Sequence, residues 1–183
     1  LFRSYSISRT CSGDSGGAFT APKVTIVSLN TGGNLLASSQ VNARNISKLN
    51  VPGAEEGSIH VINGLTSATF GSIAVGAVIQ AGGIGGVRTA GDSLGNISAS
   101  TNAPKSTSLA IGGNLGGANS FAGPVSISVS GNINAGTQLI DTGTLTSLKV
   151  NGAVSGDILV NGQIATITAG SMSDAVITAG LGI

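Results

Sequence analysis

Apolar and polar positions alternate in short runs along most of this chain. Val125-Ser126-Ile127-Ser128-Val129-Ser130 places three aliphatic side chains on one face of a strand and three serines on the other. Thr146-Ser147-Leu148-Lys149-Val150 and Asp157-Ile158-Leu159-Val160 repeat the pattern more briefly, and Val24-Thr25-Ile26-Val27-Ser28-Leu29 begins it. The runs stop at small pairs: Asn63-Gly64, Ala81-Gly82, Ala90-Gly91, Asn151-Gly152, Asn161-Gly162, Ala169-Gly170 and Ala179-Gly180. Glycine in such pairs tolerates positive φ and marks a sharp corner. The pattern predicts short strands separated by tight corners. Helix is the weakest assignment, because Gly, Ser, Thr and Asn are poor helix formers.

The corners repeat. Gly95-Asn96-Ile97, Gly113-Asn114-Leu115 and Gly131-Asn132-Ile133 follow one another at a constant step. The triplet continues in degenerate form as Gly152-Ala153-Val154, after a slightly longer step, and as Gly170-Ser171-Met172, after the original one. Gly162-Gln163-Ile164 and Gly180-Leu181-Gly182 form an interleaved pair with that same step. Gly33-Asn34-Leu35, Gly57-Ser58-Ile59 and Gly71-Ser72-Ile73 carry the signature upstream at looser spacing. A fixed period of roughly 20 residues is the mark of a solenoid. An antiparallel β-sandwich would also use short strands and tight corners, but it gives no reason for the fixed step. The expected fold is therefore all-β, a parallel β-solenoid with coils of about 18–21 residues. Ile97, Leu115, Ile133, Val154 and Met172 are expected to stack inside it. The recurrent asparagines are expected to hydrogen-bond from coil to coil.

The organisation expected is one solenoid domain over residues 23–183, preceded by an irregular lead-in over 1–22 that is a candidate inter-subunit strand. Val41–Glu56 is more charged, contains Pro52, and reads as a loop or lateral insertion. Asn102–Thr107, with Pro104 and Lys105, reads as an excursion from one coil.

Composition narrows the function classes. Only 8% of the 183 residues are charged and 3% aromatic, with no Trp, whereas 40% are hydrophobic and the mean hydropathy is +0.39. Such a chain collapses, but around small aliphatic side chains in thin layers. The net charge is +1, and no basic groove interleaved with aromatics is visible, which argues against nucleic acid as a partner. No apolar run reaches the roughly 18 residues a membrane-spanning helix needs. The chain begins at Leu1, so a processed chain or a segment of a longer protein is expected. A single cysteine, Cys11, excludes an internal disulfide framework.

The Gly-Asn-aliphatic triplets and Asn-Gly corners over residues 57–183 resemble the Gly/Asn-rich β-solenoid repeats of large bacterial surface proteins, including adhesins and autotransporter passengers. The resemblance implies an extracellular or cell-surface setting and no particular ligand.

Residues that invite a chemical reading are few. Cys11-Ser12-Gly13-Asp14-Ser15-Gly16-Gly17 resembles the nucleophile motif of trypsin-like serine proteases. That chemistry needs a His and an Asp upstream, and the stretch before Cys11 contains neither. The only histidine, His60, sits in an alternating strand pattern and is expected to face outward. Glu55-Glu56 reads as a solvated turn, since adjacent carboxylates rarely face each other across a cleft. Gly82-Gly83-Ile84-Gly85 starts like a calcium-binding nonapeptide, but Val87 occupies the place of its aspartate. Gly112–Gly117 lacks the Lys-Ser/Thr of a phosphate loop. No catalytic residues, cofactor or metal are expected. The residues that matter are expected to be those of the repeat: Gly95, Asn96, Ile97, Gly113, Asn114, Leu115, Gly131, Asn132, Ile133, Gly152, Gly162, Gly170 and Gly180. The function expected is structural, with copies of the chain stacking end to end into a fibre or surface layer. The competing functions are an adhesin-type module for glycans or surfaces and a polysaccharide-degrading β-helix enzyme.

Overall fold

The structure is a computed structural model that describes residues 6–101 and 106–180. Among these residues there are fourteen strands and no helix. They are β1 (Ser6–Cys11), β2 (Ala18–Thr31), β3 (Gln40–Glu55), β4 (Ser58–Ile73), β5 (Val78–Thr89), β6 (Asn96–Ala99), β7 (Thr107–Ile111), β8 (Ala118–Phe121), β9 (Val125–Val129), β10 (Gln138–Asp141), β11 (Leu145–Val154), β12 (Asp157–Val160), β13 (Ile167–Met172) and β14 (Ile177–Ala179). Every strand pairing is parallel, each strand lying on its counterpart one turn away. The chain is a parallel β-solenoid.

Each turn has three walls, A, B and C. On wall A, Phe19, Val41, Ile59, Ile79, Ile97, Asn119, Leu139, Ile158 and Ile177 succeed one another in one column. Coil length is the step along this column, and it varies: Val41 to Ile59 is among the shortest steps and Ile97 to Asn119 among the longest. On wall B, Leu29, Leu49, Ala68, Val87, Leu109, Ile127, Leu148 and Ile167 form the corresponding column. Wall C is the shortest, one or two paired residues per coil, running Ser15, Leu35, Glu55, Ile73, Ser93, Leu115, Ile133 and Val154. These columns point inward and fuse into one continuous apolar core. Alternation on a pleated strand decides this: residues of one parity enter the lumen and the others face water.

Part of the variation arises at the corner from wall C to wall A. Three coils insert a tight turn there, with Ser39, Ala77 and Thr137 donating their N–H to the carbonyls of Leu36, Ala74 and Asn134 at 2.7, 3.2 and 3.1 Å. Gly76 and Gly136 occupy the turn position that needs positive φ, at 86° and 78°. Other coils cross the same corner without the insertion. This is one reason the repeat has no single period; the long coil from Ile97 to Asn119 crosses the corner without it and gains its length elsewhere.

Several expectations change. Ile97 does not share a column with Leu115 and Ile133: it stacks on Ile79 on wall A, and Ser93 is the residue of its coil beneath Leu115. The step from Ile97 to Leu115 is therefore not a coil, whereas the equal step from Leu115 to Ile133 is. Met172 pairs with Val154 in the expected column but is 53% exposed, because it lies on the last described coil. Val41–Glu56 is not a lateral insertion: all of it but Glu56 lies in strand β3, with Pro52 facing outward. Residues 1–22, expected to be irregular, contain β1 and the start of β2, and β1 pairs with β2 in the same parallel manner as every other coil. Of the expected excursion, residues 102–105 lie outside the described residues. Thr107 begins β7, and its buried Oγ1 donates to the Ile84 carbonyl at 2.8 Å.

The inward columns set the stability. Leu115→Ala is expected to cost about 2–5 kcal/mol, read as a shift of the urea midpoint. Ile133→Asp, which drives a carboxylate into the lumen at a site 1% exposed, is expected to remove cooperative unfolding altogether. Near-wild-type unfolding of Ile133→Asp would refute the column assignment.

Candidate functional site: the glycine–Asx corner ladder

Wall C begins at a corner where the same chemistry recurs in successive coils. Asp14 Oδ1 accepts the backbone N–H of Asn34 at 2.7 Å, and Asn34 Oδ1 accepts that of Ala54 at 2.7 Å. Higher up, Asp92 Oδ1 accepts the N–H of Asn114 at 2.7 Å. Asn114 Oδ1 accepts that of Asn132 at 2.9 Å, and Asn132 Oδ1 that of Ala153 at 2.8 Å. In these coils a side-chain oxygen satisfies a backbone donor that the corner would otherwise leave unpaired.

The glycines of the repeat follow from this geometry. The Asx oxygen rises into the space under the preceding residue of the next coil. A Cβ on Gly113 would collide with Asp92 Oδ1, one on Gly131 would stand 2.5 Å from Asn114 Oδ1, and one on Gly152 would collide with Asn132 Oδ1. Gly33 and Gly53 are related in the same way to Asp14 and Asn34. The Asn of one copy therefore acts on the Gly of the next copy. The expected side-chain ladder is present where Asn132 Nδ2 donates to Asn114 Oδ1 at 3.3 Å. At the other rungs of this corner the oxygen bonds to backbone.

Gly95-Asn96-Ile97 uses the same device at another corner. Asn96 Oδ1 accepts the Ala118 N–H at 2.8 Å, beneath Gly117, at the start of wall A. That shared chemistry explains why three triplets read alike although only Gly113-Asn114-Leu115 and Gly131-Asn132-Ile133 stack. Gly170 sits above Asn151 and Gly152 in the wall C ladder. Gly162 belongs to the A–B corner, where a Cβ would meet the Gly143 carbonyl, and Gly180 donates its N–H to the carbonyls of Val160 and Gly162.

Polar side chains that enter the lumen bond to the corners as well. Thr31 and Thr89 donate to the carbonyls of Gly33 and Gly91 at 3.0 and 2.7 Å, and Asn119 Nδ2 donates to the Gly116 carbonyl at 2.9 Å. Glu55, expected in a solvated turn, is fully buried in the wall C column, with Oε1 accepting the Gly57 N–H at 2.8 Å and Oε2 unpartnered. Burial pushes its carboxyl up to about 7 against the stabilising Gly57 bond, and the neighbouring Glu56 charge adds to the rise. Asp141, in the wall A interior, accepts the Gly143 N–H at 2.8 Å and is likewise raised by burial. The pattern of strand alternation contained the signal for Glu55: it follows Val51 in step with Leu35 and Ile73, but the adjoining Glu56 and Pro52 suggest a loop.

The other candidates scatter. Ser15 stacks beneath Leu35 at the first described turns, while His60 is exposed on wall A with Nδ1 3.3 Å from Gln80 Oε1. Among the described residues no three His, Cys, Asp or Glu side chains gather in a metal-binding group. Cys11 is half-buried in β1 and free. Compared with family models, curated proteins and solved structures, the chain matches none.

Two outcomes test the ladder and its lumen. Gly113→Ala is expected to destabilise by about 1–3 kcal/mol. Gly91→Ala, whose Cβ would meet its nearest atom at 3.3 Å, is expected to cost less in the same denaturation assay. Because the Glu55 carboxyl is raised in the folded chain, folding favours its protonated form. Its contribution is fully present below its ordinary value of 4.5 and is lost as pH rises toward about 7. The loss amounts to about 3 kcal/mol. The thermal midpoint should therefore fall between pH 5 and 8, and Glu55→Gln should flatten most of that slope. An unchanged slope in Glu55→Gln would assign the pH dependence to other groups.

Proposed function

We propose that this chain is a structural rod, a segment of an extracellular or cell-surface fibre that copies extend by stacking end to end. The observation that carries the reading is the stack itself: from β1 to β14 every coil lies parallel on the next, and its strand ladder and lumen column are completed by its neighbour. A surface of that kind is extended by one more coil of the same kind. The low charge of the chain supports close stacking, since little like-charge repulsion opposes it. The resemblance of the Gly-Asn corners to bacterial surface repeats supports the extracellular setting. Under this reading the chain is not an enzyme, and Gly, Asn and aliphatic residues of the corners carry the function by keeping the coils in step.

Sedimentation and negative-stain microscopy of the 183-residue chain test it. Rods whose length grows with concentration are expected. Val176→Lys with Ile177→Lys, which places charge on the last described coil where both side chains are exposed, should leave folded chains that no longer elongate. Stable monomers of the unaltered chain at every concentration would overturn the proposal.

A further inference from the structure

At the corner from wall A to wall B the outer surface is hollow. A groove of about 480 Å³ lies there, lined by Asn45, by Ile62, Asn63, Gly64 and Thr66, and further up by Gly82 and Thr101. These residues belong to four successive coils. At about 4.8 Å per coil the groove therefore extends roughly 14 Å along the axis. Its size falls within the range of about 300–1,000 Å³ usual for ligand sites.

The glycine on its floor has a reason that the fold does not supply. Gly64 stands above Asn45, and Asn45 above Thr25, so the same position carries a side chain in the two coils beneath. Gly64 has no positive φ, and a Cβ there would meet nothing nearer than Asn45 Oδ1 at 3.8 Å, an ordinary contact. The glycines of the wall C ladder are forced by an Asx oxygen, whereas Gly64 is not. Glycine within a strand also marks places where a ligand approaches closely. Polar groups surround this floor. Asn45 Nδ2 donates to Thr25 Oγ1 at 3.3 Å, and Thr101 Oγ1 donates to the Gly82 carbonyl at 2.7 Å. Asn63 and Thr66 are exposed, and their side chains make no hydrogen bond among the described residues.

Cations gather at the lower half of the groove. Pro22–Val24, Arg44 and Ile62–Asn63 fill the same corner in successive coils, which places exposed Lys23 and Arg44 below Ile62 and Asn63. Lys48 is exposed beneath Ser67, the neighbour of Thr66. Among the described residues none of these three cations makes an ion pair. The acids up to Asp92, namely Asp14, Glu55, Glu56 and Asp92, lie on wall C or beside it. In a three-walled coil that is the side opposite the A–B corner. An anion is therefore drawn to the groove with no carboxylate near it to oppose the approach.

We propose that this groove binds an anionic polysaccharide. Its carboxylate or sulfate groups lie toward Lys23, Arg44 and Lys48, and its hydroxyls meet Asn45, Asn63 and Thr66. A groove that runs along the axis suits a linear polymer lying lengthwise. Single-stranded nucleic acid would need aromatic platforms for its bases, and no lining residue is aromatic. The inference adds a lateral binding site to the proposed rod and does not depend on end-to-end growth.

Fluorescence anisotropy of the full chain with labelled oligomers of alginate, dextran sulfate and neutral dextran tests it, at about 0.1 M salt, where the screening length is about 10 Å. Binding of at least one acidic oligomer and none of dextran is expected, and the tighter of the two acids identifies carboxylate or sulfate as the preferred anion. Arg44→Gln with Lys48→Gln should weaken that binding about five- to tenfold. Arg88→Gln with Lys149→Gln removes the same charge from wall B away from the groove and should change it less than about twofold. Gly64→Leu keeps every charge, fills the floor and should abolish binding. Thr66→Tyr, at an exposed position, fills the groove from its side and should do the same if Gly64→Leu melts early by circular dichroism. Failure of both acidic oligomers to bind overturns the proposal, as does an equal loss in the two double variants. Unchanged binding by folded variants that fill the groove, or equal affinity for a labelled oligothymidylate or for dextran, overturns it as well.

Discussion

Everything in this structure depends on direct superposition. A parallel coil lies about 4.8 Å above its predecessor, so each backbone position faces its own counterpart and no side chain can pass between the layers along the backbone. At the corners, where the ladder of strand hydrogen bonds breaks, something must still satisfy the exposed N–H groups. Asp14, Asn34, Asp92, Asn114 and Asn132 supply side-chain oxygens, and the glycine above each one leaves them the space. Glycine and Asx form one device spread over two coils.

The same constraint makes the lumen narrow and apolar. Aliphatic columns fill it, and the few polar groups that enter are turned back onto corner backbone atoms, as with Thr31, Thr89 and Asn119. A carboxyl in that setting keeps its proton above its ordinary range, which is the situation of Glu55 and Asp141. These acids are perturbed by burial in a wall and not by a partner across a cleft. Perturbed carboxyls often mark active sites, but here both groups point into a packed core.

Two kinds of surface remain for function. The last described coil presents exposed Met172, Val176 and Ile177, and the walls present polar rows. Under the proposed reading, a rod that lengthens by stacking needs few charges. The composition, with its glycines and scarce aromatics, is what such superposition demands.

The fold class was legible because alternation and the Gly-Asn corners are local. Each strand run declares its inward face by parity, and each corner declares itself by a residue that a Cβ or a missing oxygen would spoil. Register between coils was not legible. The triplets at 95–97 and 113–115 have closely similar chemistry, yet they serve different corners, and only the stacking of Leu115 on Ser93 separates them. The step from Ile97 on wall A to Leu115 on wall C happens to equal the coil from Leu115 to Ile133, so spacing alone misassigns Ile97. Burial of Glu55 was hidden for a related reason, since a charged residue beside Pro52 and Glu56 looks solvated until the column from Leu35 to Ile73 closes around it. By itself the sequence determined that this chain forms stacked parallel coils with glycine–Asx corners, because those requirements act within a short stretch of chain. The tertiary structure decided which residues lie above which, because that depends on the summed lengths of every corner between them.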